Sequence, residues 1–250
     1  MQPIAQRFEG KSVLVTGGSS GIGLATAKRF VAEGATVFVT GRRQAHLEQA
    51  AIEIGDKAIA VQGDISKLED LDRLFATIGS KVGRLDVVVA NAGAATSFLP
   101  LGAYTEEHLD ETFNLNVKGT AFTVQKALPL MPNGSSVVLI GSMTSVQGRA
   151  TLGAYAASKA ALRSFARTWS VDLKSKNIRV NVISPGSVPT PAYEPFGLTA
   201  ESFANRIPSI PIGRLGTTDD IAGAVAFFAS EDSAYITGTE LFVDGGFTQV

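Results

Sequence analysis

The sequence contains no cysteine and only two histidines, so it offers little for thiol or metal chemistry. The absence of cysteine excludes disulfides, thiolate metal ligands and cysteine nucleophiles. His46 and His108 lie far apart on polar segments of helical pattern, without the spacing of a metal site. We therefore expect both histidines on the surface and no bound metal.

An excess of charge of one sign is also missing. Lys and Arg together number 22 against 23 Asp and Glu, which gives a formal net charge of -1 and no basic field for nucleic acid. No apolar run approaches the ~20 residues that a membrane-spanning helix needs. The N-terminus lacks the basic and apolar segments of a signal peptide. These absences predict a soluble cytoplasmic protein that binds neither nucleic acid nor membranes.

Short apolar runs alternate with amphipathic segments along the 250 residues. Most runs are apolar throughout, which is typical of strands covered on both faces of a parallel sheet. The pattern predicts strands at 12–16, 36–40, 58–62, 85–90, 136–141, 178–184 and 240–244, and helices at 23–34, 154–177 and 217–232. The alternation indicates one doubly wound α/β domain over residues 1–250.

One irregular stretch, residues 185–213, carries six prolines. A long loop inside a compact domain is more often a lid or a binding loop than a structural connection. We expect this stretch to bind substrate.

A glycine cluster lies between the first predicted strand and the first predicted helix. Gly17, Gly21 and Gly23 permit a tight turn, and the helix that follows offers free N–H groups to a pyrophosphate. A glycine turn without a ligand is the alternative, and the flanking strand and helix make it less favoured.

Four motifs in order give the chain a family resemblance: "TGGSSGIG" (16–23), "NAG" (91–93), "YAASK" (155–159) and "PG" (185–186). With the strand and helix layout, they resemble the short-chain dehydrogenase/reductase family over nearly the whole chain. The resemblance implies a Rossmann-type domain with a seven-stranded parallel sheet and a nicotinamide cofactor. It also implies a homotetramer formed through helices at about 105–129 and 154–176 and through the C-terminal segment.

Tyr155 and Lys159 are four residues apart in a helical pattern, so both side chains project from one face. A phenol has an ordinary pKa of ~10, and a nearby ammonium together with an oxidised nicotinamide lowers it towards neutrality. A surface tyrosine and lysine without function are the alternative interpretation. The pair therefore predicts a proton donor, Tyr155, and a neighbouring cation that also binds the cofactor ribose.

Ser142 and Asn116 complete the predicted catalytic group. Ser142 follows a predicted strand at the edge where open α/β folds bind ligands, and its hydroxyl can orient a substrate carbonyl; Ser145 is the alternative. Asn116 in "NVKG" matches the family's asparagine, whose local helix distortion helps to hold a water linked to the lysine. Asn114 is the alternative candidate for this role. The alternative interpretation of Asn116 is a polar side chain on a solvated helix face, without a role in catalysis.

The resemblance assigns further contacts to the cofactor and the substrate. Asp64 with Ile65 meets the adenine, and Asp64 could cap a helix in place of this role or in addition to it. The other cofactor residues are Ser19, Ser20, Ile22, Asn91, Ala92, Gly93, Pro185, Gly186, Val188 and Thr190. Five residues are candidates for setting substrate choice: Met143, Thr144, Gln147, Leu152 and Tyr193. Their side chains could equally serve only to pack the protein interior. Phe196 and Phe203 in the proline-rich stretch favour a hydrophobic ketone or alcohol.

The cofactor choice depends on "VTGRRQ" (39–44). An acidic residue about 20 positions beyond the glycines selects NAD by binding a ribose hydroxyl. That position falls on Gly41, and Arg42 follows it. A guanidinium fork suits a phosphate, so Arg42 predicts NADP(H), with Arg43 either assisting or solvated.

Three functions are compatible with this sequence. The first is an NADP-dependent carbonyl reductase or alcohol dehydrogenase for a small or medium-sized ketone. The second is a 3-oxoacyl carrier-protein reductase, for which Arg149, Arg163 and Arg167 are candidate docking residues, although they form no dense cluster. The third is a dinucleotide-sensing regulator, which is disfavoured because both Tyr155 and Lys159 are present.

Overall fold

The computed structural model describes residues 6–250 of the chain. Its seven strands are all parallel and form one sheet in the order β3-β2-β1-β4-β5-β6-β7. The strands are Ser12–Thr16 (β1), Thr36–Gly41 (β2), Ala58–Gln62 (β3), Val87–Ala90 (β4), Ser136–Ile140 (β5), Arg179–Pro185 (β6) and Glu240–Val243 (β7).

Eight α-helices connect or flank these strands in the described part of the chain. They are Gly21–Ala32 (α1), Gln44–Ile54 (α2), Leu68–Lys81 (α3), Glu106–Phe113 (α4), Thr120–Ala127 (α5), Gly153–Asp172 (α6), Ala200–Ala204 (α7) and Thr218–Ala229 (α8). Within residues 6–250, none of the helices has the length and apolar character needed to cross a membrane.

Two apolar cores cover the two faces of the sheet. Val13 and Val15 of β1 pack on one face with residues of α1, α2 and α8, whereas Leu14 packs on the other face with residues of α3, α5 and α6. Alternate side chains of one strand enter opposite cores, so the strand must be apolar throughout. The predicted Rossmann-type, doubly wound α/β fold is confirmed.

The predicted strands lie within two residues of the observed ones, and the helix ends differ slightly more. α1 begins at Gly21 and ends at Ala32, shortly before Gly34, and α6 gives way to a 3-10 turn at Lys174–Lys176. The predicted Thr/Asp start of α8 is a capping box between Thr217 and Asp220. The proline-rich stretch is less irregular than expected, because it contains α7 and two 3-10 turns, Pro191–Phe196 and Ile207–Ser209.

The strand order reverses between β1 and β4, which lie side by side although β2 and β3 come between them in the chain. In open α/β sheets the loops at the carboxyl ends of such strands separate and leave a crevice that binds ligands. The predicted site residues lie in loops at this edge of the sheet or on helices that pack against it, and Pro185 is the last residue of β6.

Candidate active site

The loop between β1 and α1 has the shape of a phosphate-binding turn. Its backbone adopts positive φ at Gly17 (+65°), and a Cβ on Gly23 would lie 2.2 Å from the Gly17 carbonyl oxygen. Ser20, the N-cap of α1, makes no capping hydrogen bond through its side chain to this described helix. The first N–H groups of α1 therefore remain available, and the positive end of the helix dipole suits a pyrophosphate.

Asn91 holds this glycine loop against the end of β4. Its Nδ2 donates to the carbonyl oxygens of Thr16 (2.9 Å) and Gly17 (3.1 Å). Thr16 Oγ1 in turn accepts from the backbone N–H of Asn91 (3.1 Å) and of Ala92 (3.0 Å). These four hydrogen bonds fix the two walls of the crevice relative to each other.

The segment after β6 closes the crevice from the other side. The Thr190 side chain lies 3.2 Å from the place where a Cβ on Gly21 would stand. Val188 is buried, and a Cβ on Gly186 would lie 2.6 Å from the Asp244 Cα atom next to β7. The predicted group Pro185, Gly186, Val188 and Thr190 thus reaches from the sheet to the glycine loop.

Arg42 and Arg43 follow the last residue of β2 and are exposed. Gly41, just before them, is close to the glycine loop, since a Cβ there would lie 3.3 Å from Ser19 Oγ. The Arg42 backbone carbonyl accepts from Gln62 Nε2 (3.0 Å), but neither guanidinium pairs with a group of the described chain. Two unpaired cations therefore stand beside the phosphate-binding turn.

Asp64 and Ile65 lie in the loop after β3. Asp64 Oδ1 accepts from the Ser66 backbone N–H (3.0 Å) and the Ser66 hydroxyl (2.7 Å), which is a local Asx turn. Lys67, not Asp64, is the N-cap of α3, so the interpretation of Asp64 as a helix cap is wrong. Ile65 is buried, and its carbonyl oxygen lies 2.9 Å from where a Cβ on Gly119 would be.

Ser142 lies two residues beyond β5, and its hydroxyl faces Tyr155. Its Oγ accepts from the backbone N–H (3.2 Å) and the hydroxyl (3.0 Å) of Thr144, and its side chain lowers the pKa of Tyr155. Ser145 Oγ instead donates to Glu240 Oε1 (2.7 Å), away from the tyrosine. The geometry therefore favours Ser142 over Ser145.

Tyr155 and Lys159 lie one turn apart on α6. The Lys159 Nζ atom is 5.7 Å from the centroid of the Tyr155 ring and donates to the Ile140 carbonyl oxygen at 2.8 Å. Lys159 is only 3% exposed, so the interpretation as a surface pair is wrong. A Cβ on Gly93 would lie 3.1 Å from Nζ, which brings the loop after β4 to the same point.

Burial dominates the ionisation of the pair. Burial lowers the pKa of Lys159 to about 8. Burial and then the neighbouring Tyr193 raise the pKa of Tyr155 above its ordinary 10.0, and the hydrogen bond with Ser142 offsets this only in part. Lys159 alone therefore does not produce the expected depression, and Tyr155 is a protonated phenol at neutral pH.

Replacing Lys159 with methionine should stabilise the protein near neutral pH. Burial disfavours the ammonium by shifting its pKa from 10.5 to about 8, and removing this penalty should raise the free energy of unfolding by about 1–3 kcal/mol. The penalty is complete below about pH 8 and shrinks as the pH rises towards 10.5, because the folded protein then releases its proton before the unfolded chain does.

Urea unfolding of both proteins at about pH 7 and about pH 10 measures this difference. The exposed Lys174 provides a matched Lys174→Met control, for which we expect no such pH dependence. A Lys159→Met protein that is less stable than the wild type at about pH 7, or whose advantage grows with pH, would contradict the account.

Asn116 lies in a π-helical turn, Asn114–Gly119, between α4 and α5. Its Oδ1 accepts from the Ala94 N–H, and its Nδ2 donates to the Ala94 carbonyl and to Ser158 Oγ, each at 3.0 Å. Asn116 is buried whereas Asn114 is exposed, so the interpretation of Asn116 as a solvated side chain is wrong. The amide ties the loop after β4 to α6 beside Lys159.

Sequence reasoning missed Ser158, which is fully buried in this network. Its hydroxyl accepts from Asn116 and donates to the Tyr155 carbonyl oxygen at 2.7 Å. The available signal was a serine three residues after the tyrosine and directly before the lysine. At this spacing a hydroxyl can donate a hydrogen bond to the backbone carbonyl one turn earlier in the helix.

The predicted substrate residues fall into two groups. Met143 and Thr144 are buried and act as packing, whereas Leu152 is half-buried at the start of α6. Gln147 Oε1 accepts from Arg149 Nε (3.3 Å), and the Tyr193 ring packs edge-on against Phe203 with centroids 5.2 Å apart. Gln147 therefore contacts a charged side chain, whereas Tyr193 contacts an aromatic ring.

The proline-rich stretch encloses space and makes aromatic contacts. A cavity of about 480 Å³ is lined by Pro189, Thr190, Pro191, Glu194, Gly197, Leu198, Thr199 and Phe203. Phe196 stacks on Phe98 from the segment after β4, with ring centroids 4.3 Å apart. These two segments therefore meet above the edge of the sheet.

The two histidines differ in their surroundings. His46 is exposed, as expected, but His108 is buried, so its predicted surface position is wrong. The segment after β4 covers α4, and Ser97 Oγ lies 2.7 Å from His108 Nδ1. Within residues 6–250 there is no cluster of three or more His, Cys, Asp or Glu side chains that could hold a metal ion.

Comparison with known proteins agrees with this geometry. The family model described as enoyl-(acyl carrier protein) reductase matches residues 17–248. The oxidoreductase asL5 of Sarocladium schorii is 45% identical over 249 residues, which cover 98% of each chain. The NADP-dependent (R)-specific alcohol dehydrogenase of Lentilactobacillus kefiri is 37% identical over 252 residues, 98% of this chain and 99% of that one.

A solved structure of a Serratia marcescens short-chain dehydrogenase/reductase, a double phenylalanine-to-leucine variant, superposes with a TM-score of 0.90. It is 32% identical, and the match covers 97% of this chain and 99% of that one. The chain is therefore a member of the short-chain dehydrogenase/reductase family of oxidoreductases, which use nicotinamide dinucleotide cofactors.

Proposed function

We propose that the protein transfers a hydride between NADP(H) and a carbonyl compound, and that it reduces small or medium-sized hydrophobic ketones to secondary alcohols. The observation that carries this proposal is the meeting of Ser142, Tyr155 and Lys159 at the edge of the sheet beside the glycine loop. The name of the Lentilactobacillus kefiri relative, an NADP-dependent alcohol dehydrogenase, supports it.

The residues fit a dinucleotide. The available N–H groups of α1 suit the pyrophosphate, and the buried Lys159 ammonium suits the ribose hydroxyls next to it. Asp64 and Ile65 are proposed for the adenine, and the segment from Pro185 to Thr190 for the nicotinamide. When bound, the reduced cofactor supplies the hydride.

Tyr155 supplies the proton in this proposal. Its raised pKa keeps the hydroxyl protonated at neutral pH, which suits donation to the oxygen of a carbonyl that becomes an alcohol. Ser142 Oγ, which acts on the hydroxyl of this tyrosine, orients that oxygen. Asn116 fixes α6 next to Lys159 and completes the route by which the proton is replaced.

Arg42 selects NADP(H) over NAD(H) in this proposal. Its exposed guanidinium has no partner in the described chain and stands next to a glycine loop with no carboxylate at the end of β2. A guanidinium binds a phosphate through two parallel hydrogen bonds, whereas a ribose hydroxyl gains little from it.

The remaining features of the proposal concern assembly and substrate access. Residues 1–250 form one catalytic domain, and residues 185–213 act as its substrate lid, fastened at Phe98 and Phe196. The enzyme acts in the cytoplasm as a homotetramer built on α4, α5 and α6. Leu109 and Phe113 on α4 and Val171 on α6 support this assembly, because all three are exposed apolar side chains.

A carrier-bound oxoacyl substrate is less favoured. Arg163 donates to the Gly238 carbonyl and lies 3.7 Å from Glu240, whereas Arg149 points towards Gln147. Of the three candidate docking residues only Arg167 is exposed and without such contacts, so they do not form one basic patch for an acidic carrier.

A substrate panel with NADPH separates the two possibilities. We expect free ketones with apolar substituents to be reduced with kcat/KM at least about tenfold above that of an oxoacyl thioester on its carrier protein, because the docking patch is missing. The decrease in NADPH absorbance at a fixed enzyme concentration measures the rate with each substrate. Faster reduction of the carrier-bound substrate would reverse the assignment.

A further inference from the structure

Glu240, the first residue of β7, has a buried carboxylate. Its side chain is 5% exposed, and the rest of the strand is the apolar sequence Leu-Phe-Val. A buried carboxylate is costly unless hydrogen bonds and a cation compensate for the water that it loses. The partners of this carboxylate therefore indicate which parts of the chain it holds together.

Two serine hydroxyls donate to one oxygen of this carboxylate. Ser145 Oγ lies 2.7 Å from Glu240 Oε1, and Ser184 Oγ lies 2.6 Å from the same oxygen. The other oxygen, Oε2, lies 3.7 Å from Arg163 Nε on α6, and Arg163 also donates to the Gly238 carbonyl oxygen. The carboxylate of β7 thus joins three further elements, which are the turn after β5, strand β6 and helix α6.

The two serines hold the chain on both sides of Ser142. Ser145 ends the 3-10 turn that follows Ser142, and its backbone N–H donates to the Ser142 carbonyl oxygen at 2.9 Å. Gly141, directly before Ser142, is so close to β6 that a Cβ there would lie 2.4 Å from Ser184 Oγ. The Gly141 N–H also donates to a carbonyl oxygen of β6 at 2.7 Å. Through these contacts Glu240 restricts the movement of the turn that carries Ser142.

We infer that Glu240 is a positioning residue of the reaction, because it fixes the Ser142 hydroxyl through the two serines. Ser142 Oγ itself accepts from the backbone N–H and the hydroxyl of Thr144, so its direction depends on the same turn. A displacement of a reacting group by about 1 Å can lower the rate by about 10²-fold. The inference rests on the proposed function, in which Ser142 orients the carbonyl that accepts the hydride. Glu240 itself contacts neither substrate nor cofactor in this proposal.

A double-mutant cycle separates this role from a purely stabilising one. Glu240→Ala should lower kcat for ketone reduction by about 10–100-fold and leave the KM for NADPH unchanged. In the Ser142→Ala background the same change should lower kcat by less than about twofold, because the hydroxyl that the turn positions is already absent. Single-turnover rates with saturating NADPH measure all four proteins. An equal loss in both backgrounds means that Glu240 supports only the fold, and it overturns the inference.

Conservative variants test which contacts of the carboxylate matter. Glu240→Gln keeps an oxygen that accepts from both serines, so we expect at least about half of the wild-type kcat. Ser145→Ala removes one of the two hydroxyls and should lower kcat by about 3–10-fold. The exposed Glu69→Ala is the matched control and should keep the wild-type kcat. These variants also cover the case in which Glu240→Ala fails to fold, because wild-type kcat in Ser145→Ala, or a loss of about tenfold or more in Glu240→Gln, overturns the inference.

Amide hydrogen exchange of the peptide that covers residues 141–147 tests the anchoring without any substrate. We expect this peptide to exchange at least about tenfold faster in Glu240→Ala than in the wild type, and at the wild-type rate in Glu69→Ala. Unchanged exchange in Glu240→Ala overturns this inference alone. A wild type that reduces none of the ketones overturns the proposed function, and the catalytic part of the inference with it.

Discussion

Replacing Tyr155 with phenylalanine should lower kcat for ketone reduction by about 10²–10⁴-fold, which is the range of general acid catalysis. The change removes one hydroxyl and leaves the ring next to Lys159. Affinity for NADPH should hardly change, because the proposed phosphate contacts lie on α1 and after β2. A large loss of kcat with intact cofactor binding is the expected signature of a lost proton donor.

Steady-state kinetics and NADPH fluorescence titration separate chemistry from binding in this variant. Tyr235 is fully exposed, so Tyr235→Phe is a matched control that should retain wild-type activity. A Tyr155→Phe protein with activity comparable to the wild type would show that another group supplies the proton.

Replacing Arg42 with aspartate should move the cofactor preference from NADPH towards NADH. A charge-assisted hydrogen bond contributes about 1.5–3 kcal/mol, so the ratio of kcat/KM for NADPH over NADH should fall by about 10–100-fold, and carboxylate repulsion adds to this. The Arg42 side chain is exposed and forms no hydrogen bond or ion pair within residues 6–250, so the fold should be unaffected.

Arg43→Asp makes the same change of charge one residue later. A fall of the ratio in both variants means that Arg43 assists, whereas a fall in Arg42→Asp alone means that Arg43 is solvated. The ratio of kcat/KM for NADPH over NADH is measured for both variants from initial rates at subsaturating cofactor. An unchanged ratio in Arg42→Asp would place the phosphate site elsewhere.

The parts of the fold that depend on short-range patterns could be predicted from the sequence. The inner strands are mostly apolar because their alternate side chains enter two cores, so the extents of these strands follow from the apolar runs. The position of Gly41 beside the glycine loop could also be predicted, because the carboxyl end of the second strand faces that loop in this topology.

Features that depend on tertiary contacts could not be predicted. His108 has polar neighbours in the sequence of its helix, but the segment around Ser97 packs over its side chain and buries it. The pKa of Tyr155 depends on how deeply its side chain is buried and on the neighbouring Tyr193, which is 38 residues later in the sequence.

The most direct test of the proposed function compares NADPH with NADH in the reduction of one hydrophobic ketone by the wild-type protein. The site predicts reduction with both cofactors and a kcat/KM at least about tenfold higher with NADPH, which corresponds to one charge-assisted contact at Arg42. Equal or better use of NADH would contradict the role of Arg42. Absence of ketone reduction with either cofactor would contradict the central claim that Tyr155, Ser142 and Lys159 form a carbonyl-reducing site.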